Sequence, residues 1–113
     1  MISFKFNWAY QFYSDHGLEE IGNILNISGQ WQWQFRDSYI YGNYLSTRPS
    51  DDLHVRIHEY PLPFGKEQEE SGFTALIQIK ADSDLEKSEV DRVFRELLNL
   101  IEATEIQEIE PYD

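Results

Sequence analysis

Residues 2–12 read Ile-Ser-Phe-Lys-Phe-Asn-Trp-Ala-Tyr-Gln-Phe, and this stretch decides the fold. Ile2, Phe4, Phe6, Trp8, Tyr10 and Phe12 share one parity, while Ser3, Lys5, Asn7, Ala9 and Gln11 hold the other. Successive side chains of an extended chain point to opposite faces, so the period of two predicts a long strand with one buried face. Such a face needs a covering layer. Two later segments have the pattern to supply it.

The first follows at once. Ser14 stands at a helix N-cap position, Asp15, Glu19 and Glu20 populate the first turns, and Leu18, Ile21 and Leu25 form an i, i+3, i+7 stripe with Ile24 beside it. Gly29 ends it, which predicts a helix over about 15–27. The second lies near the C-terminus, where Val90, Val93, Phe94, Leu97, Leu98 and Ile101 repeat at helical spacing. Ser83 with Glu86, or Ser88 with Asp91, fits the S-x-x-acid cap before it.

Between the helices the period returns to two. Trp31, Trp33 and Phe35 alternate with Gln30, Gln32 and Gln34, Arg36-Asp37-Ser38 has turn chemistry, and Tyr39-Ile40-Tyr41 resumes a strand, which together read as a hairpin. Gly42 marks a bulge or a close backbone approach, and Arg48-Pro49-Ser50-Asp51 marks a turn. Leu53, Val55 and Ile57 alternate with His54, Arg56 and His58, so residues 53–60 form a strand. Residues 61–72, PLPFGKEQEESG, form the longest loop. Phe73, Ala75, Ile77 and Ile79, with Leu76 on the other parity, read as a central strand. Ile106 and Ile109 allow a short final strand before Pro111. The expectation is one domain over residues 1–113: an α+β two-layer sandwich with a mainly antiparallel sheet of about five to six strands and two helices, in the order β-α-β-β-β-β-α-(β).

Charge narrows the functional classes. The 113 residues carry 9 basic and 21 acidic side chains, a formal net charge of −12, with a sequence pI of about 4.5. That balance argues against nucleic acid and anionic membrane surfaces as partners. It is also unevenly spread: residues 1–56 hold 6 acids and 4 bases, whereas residues 57–113 hold 15 acids and 5 bases. Aromatic residues run the other way, 12 of 17 lying in residues 1–44, and that content favours a folded acidic protein over a disordered one. With no basic stretch leading into an apolar run and no apolar run near ~18 residues, the expected location is cytoplasmic. The absence of cysteine removes disulfides and thiolate chemistry.

No cofactor, metal or catalytic site is expected. His54 and His58 share a strand face, yet four residues of strand separate them by ~13–14 Å, too far to share a zinc ion. His16, next to Asp15, has no third group or nucleophile beside it in sequence. H-E-x-x-H, G-x-S-x-G, P-loop and G-x-G-x-x-G patterns are absent. Asp82-Ser83-Asp84-Leu85-Glu86 lacks the glycine turn and terminal bidentate glutamate of a calcium loop. Asp82, Asp84 and Glu86 suit a helix N-terminus, and Asp91 with Arg95 and Arg92 with Glu96 are i, i+4 pairs.

Two acidic groups remain without such a role: Glu67, Glu69 and Glu70 in the long loop, and Glu102, Glu105, Glu108 and Glu110 near the C-terminus. The first expectation is therefore a small non-enzymatic protein-binding module that binds or neutralises a basic protein through this acidic surface. Bacterial immunity proteins resemble it in size and charge only. The alternative is a small-ligand-binding or catalytic domain whose pocket lies between sheet and helices, lined by Trp31, Trp33, Tyr39 and Tyr41 and touched by His54, Arg56 or His58. A homodimer formed through a free edge strand or the aromatic face is the third reading.

Overall fold

The alternating N-terminal stretch becomes strand β1, Phe4–Tyr13, in the computed structural model, which describes residues 4–38, 42–59 and 72–111. The described residues continue as α1 (Leu18–Ser28), β2 (Gln34–Ser38), β3 (Gly42–Ser50), β4 (Leu53–Glu59), β5 (Gly72–Lys80), α2 (Lys87–Leu100) and β6 (Thr104–Ile109). They form one sheet in the order β2-β3-β4-β5-β1-β6, every pair antiparallel. The α+β architecture expected from the sequence is the architecture found.

β1 lies inside the sheet, paired with β5 on one side and β6 on the other. Residues directly opposite in a ladder share a face. Trp8, Tyr10 and Phe12 thus join Ile77, Ala75 and Phe73, and the Phe12 and Phe73 rings stack at 5.7 Å. Val55, Ile57 and Leu45 extend the same apolar face across β4 and β3. Both helices cover it. The Phe94 ring of α2 stacks on Tyr10 at 5.9 Å, while α1 comes so close to β2 and β3 that a Cβ on Gly22 would lie 2.5 Å from the Phe35 ring and 2.9 Å from Leu45.

Several local expectations are corrected. Helix α1 begins later than residue 15, with Gly17 at the N-cap, because the Ser14 hydroxyl donates instead to the Ile101 carbonyl at 2.8 Å. Glu20 supplies half of a capping box by accepting from the Gly17 amide at 3.3 Å. Helix α2 has Glu86 at its N-cap without a side-chain cap, and the Ser83 hydroxyl accepts from the Leu85 amide in the preceding turn. Arg36-Asp37-Ser38 is strand, paired with Gly42–Tyr44, and not the turn of the hairpin; Tyr39-Ile40-Tyr41 lies outside the described residues. Pro49 is accommodated where the β3–β4 register shifts between Thr47 and Ser50.

Trp31 and Trp33 precede β2 and are not part of it. The Asn26 side chain accepts from the Trp33 amide at 2.6 Å and donates to its carbonyl at 3.1 Å, occupying both backbone groups a ladder would use. The ring of Trp33 then enters the core, and its indole N–H is buried with no partner among the described residues.

A carboxylate ties α2 to β1. Asp91 accepts hydrogen bonds from the Tyr10 hydroxyl, from Trp8 Nε1 at 3.2 Å and from Arg95 Nε at 3.0 Å. Burial alone would raise the Asp91 pKa, but hydrogen bonds from Tyr10, Arg95 and Trp8 and the charge of Arg95 outweigh it and hold it below the usual carboxylate value. Tyr10 is pushed the opposite way, up to about 12, by burial and by its bond to Asp91.

Removing Asp91 leaves Trp8 and Tyr10 polar atoms short of a partner, so Asp91→Ala should cost about 2–4 kcal/mol in urea unfolding. The unfolded carboxyl titrates near ~3.9 and the folded one lower, so its contribution is complete above that value and disappears as pH falls through the folded pKa. Asp91→Asn should accordingly flatten the acid limb of stability against pH. At Gly29, a Cβ would meet the Leu25 carbonyl oxygen and Leu97 Cδ2, each at 2.7 Å. Gly29→Ala should therefore destabilise by about 1–3 kcal/mol, whereas Gly17→Ser at the open N-cap should not.

Candidate functional site

Two surfaces draw on the residues singled out by sequence, and they lie in different parts of the fold. The first is the edge built by β6. Its Ile106 packs against the core, and Ala9 and Tyr10 of β1 pair with Ile109 and Glu108. The ladder then slips between Gln11 and Tyr13, where Glu105 takes a φ of 51°, and Glu102 at the preceding corner takes a φ of 55°. Left-handed backbone at two non-glycine residues turns the chain from α2 into a bulged edge strand.

Glu102, Glu105, Glu108 and Glu110 are all exposed. The arginines of α2 do not neutralise them: Arg92 pairs with Glu89 at 3.2 Å and Glu96 at 2.8 Å, and Arg95 pairs with Asp91. Glu102 faces His16 Nε2 at 3.4 Å, while His16 Nδ1 lies 3.4 Å from Glu20. Among the described residues no basic side chain pairs with Glu105, Glu108 or Glu110. Glu67, Glu69 and Glu70 lie outside the described residues.

The second surface is the sheet face turned away from the helices. Because Val55 and Ile57 enter the core, the period of two places His54, Arg56 and His58 on the opposite side, across from Gln78, Leu76 and Thr74. Gln34 and Arg36 of β2 and Tyr44 and Ser46 of β3 extend this face. Leu76 and Ala9 are buried here as well, away from the helix-side core. Trp31 and Trp33 belong to the helix side, and Tyr39 and Tyr41 lie outside the described residues. Trp31 and Trp33 therefore lie on the opposite face of the sheet from His54, Arg56 and His58, so these tryptophans and imidazoles do not share a pocket between sheet and helices.

On that outer face, Arg48, His54, Arg56, Gln78 and Lys80 line an open depression of about 520 Å³, together with Asp51 and Asp52 from the β3–β4 turn. His54 Nε2 and the Ser46 hydroxyl lie 2.9 Å apart. Burial, with the added positive charge of Arg48, Arg56 and Arg36, lowers the His54 pKa to about 4, and burial likewise lowers that of His58. His54 is neutral at pH 7. The distance suits a nucleophile and its base, but so weak a base does little to activate a serine, and the contact serves to fix the ring.

Sequence reading found His54 and Arg56 but not Ser46, Gln78 or Lys80. Their only signal was parity combined with strand register, and register is not written in any one strand. Among the described residues no group of three His, Asp or Glu could hold a metal ion, and no helix is long and apolar enough to cross a membrane. Comparisons with family models, curated proteins and solved structures find no match.

The unfolded His54 takes up a proton near pH ~6.5 while the folded ring does not, so its contribution to stability is complete above that value and is lost as pH falls towards the folded pKa. Removing a neighbouring cation should ease protonation. In an NMR titration of the ring protons, Arg48→Gln should move the His54 midpoint upward, and an unchanged midpoint would show that Arg48 does not act on it.

Proposed function

We propose that the protein is a non-enzymatic binding module that docks a basic protein partner against the acidic edge formed by the corner after α2 and strand β6. The observation that supports this most directly is local compensation. Every described acid of α2 within reach of an arginine has one, whereas Glu105, Glu108 and Glu110 on the adjoining edge have none. Unbalanced charge on a free edge discourages sheet-to-sheet pairing and accelerates encounter with a surface of opposite sign.

An edge strand also leaves one row of backbone donors and acceptors unused by the sheet. A partner bringing lysines and arginines could meet the carboxylates and this row together. Long-range attraction of this kind is screened over about 8 Å at physiological ionic strength, so it is strongly sensitive to salt.

The test is a pull-down from the native host comparing the unaltered chain with a Glu108→Lys, Glu110→Lys double variant, whose positions have ordinary backbone angles. Basic proteins should be retained at low salt, released at high salt and not retained by the double variant. Identical retention by both chains, or retention indifferent to salt, would count against the reading.

A further inference from the structure

The slipped register of β6 against β1 opens a cleft at the end of the sheet. Gln11 pairs with Gln107 and Tyr13 with Thr104, so Glu105 and Ile106 stand opposite the single residue Phe12. On its other side Tyr13 pairs with Gly72, which brings no side chain to the gap. Gln11, Tyr13, Glu105 and Gln107 line a space of about 240 Å³ there, together with Gly72 and the buried Phe12 and Phe73. The lining holds one charged group, the Glu105 carboxylate, and no cation. Among the described residues, the side chains of Gln11, Glu105 and Gln107 make no hydrogen bond or ion pair, whereas Gln30, Gln32 and Gln34 are all engaged. A carboxylate and two amide oxygens are thus offered to one space without a donor.

We propose that this cleft receives an arginine side chain of the basic partner, with its guanidinium held by Glu105, Gln11 and Gln107. The assignment rests on the edge being a surface for a basic protein, and it names the residue that the edge selects. At about 240 Å³ the cleft is smaller than the ~300–1,000 Å³ of small-molecule and cofactor sites, and it suits a single side chain. One carboxylate falls well short of the oxygen ligands that a calcium ion gathers. An array of acceptors calls for a ligand that is all donor. A guanidinium brings five N–H groups in one plane, bridges a carboxylate and neighbouring amide oxygens together, and packs flat on an aromatic residue such as Tyr13. An ammonium is a compact point charge that holds its water more tightly, so arginine is preferred to lysine.

The probes are two end-capped tripeptides, Gly-Arg-Gly and Gly-Lys-Gly, titrated into the full chain at pH 7 and constant ionic strength, with backbone and side-chain amide shifts recorded by NMR. Saturable shifts confined to residues 11–13, 72–73 and 104–107 are expected with the arginine peptide, and binding of the lysine peptide should be at least about threefold weaker. Glu105→Gln should weaken the arginine peptide about tenfold, and Gln107→Leu, which keeps every charge, about threefold. Glu19→Gln removes the same charge from the exposed side of α1 and should leave binding unchanged. The same spectra report whether each variant is folded. Equal binding of the two peptides, shifts spread equally to Glu108 and Glu110, or undiminished binding by Glu105→Gln would overturn the arginine cleft, while salt-sensitive retention of basic proteins by the edge would still stand.

Discussion

The fold depends on burying Trp8 and Tyr10 from a strand that is hydrogen-bonded on both sides. Their rings belong to the apolar face of β1, but each carries a polar atom that cannot enter a core without a partner. Asp91 satisfies both from one turn of α2, and Arg95, one turn later, satisfies the carboxylate in return. Apolar stripes alone would let the helix slide or rotate over the sheet with modest loss. Hydrogen bonds of defined length do not, so α2 acquires a fixed register on β1, and the chain leaving α2 is delivered to the open side of the same strand as β6.

Surface charge follows from that arrangement. Once the apolar parity of each strand is committed to the helices, the other parity has no choice of side. Arg36, Arg56 and Lys80 go to the outer face because Phe35, Ile57 and Ile79 go to the inner one. On α2 the opposite holds, since helical spacing places Arg92 and Arg95 beside acids of their own helix and removes them as counter-charges for the edge.

Period and composition were enough for the architecture. β1, β4, β5 and α2 were legible because their apolar residues repeat over several turns or pleats, and local chemistry does not compete with that repetition. The errors fall where a side chain could satisfy the backbone in more than one way. Ser14 had the chemistry of a cap but found the Ile101 carbonyl, and Trp31 and Trp33 alternated like a strand until Asn26 occupied the backbone groups of Trp33. Both depend on partners distant in sequence or on a side chain one element earlier. The acidic edge was visible as an uncompensated run in the sequence. The cationic face was not, because its members come from separate strands and only register unites them.

A molecule whose thinnest dimension is 25 Å is still thick against a screening length of about 8 Å. The acidic edge and the cationic face are thus read separately by anything that approaches within contact range, although both are summed in the charge that governs long-distance encounter. At long distance only the net charge is felt, whereas at contact range the few side chains within a screening length dominate. One strongly acidic chain in this way carries Glu105, Glu108 and Glu110 on an edge strand and Arg48, Arg56 and Lys80 around a depression elsewhere on the same sheet. That separation rests on the same alternation that opens the sequence at Phe4.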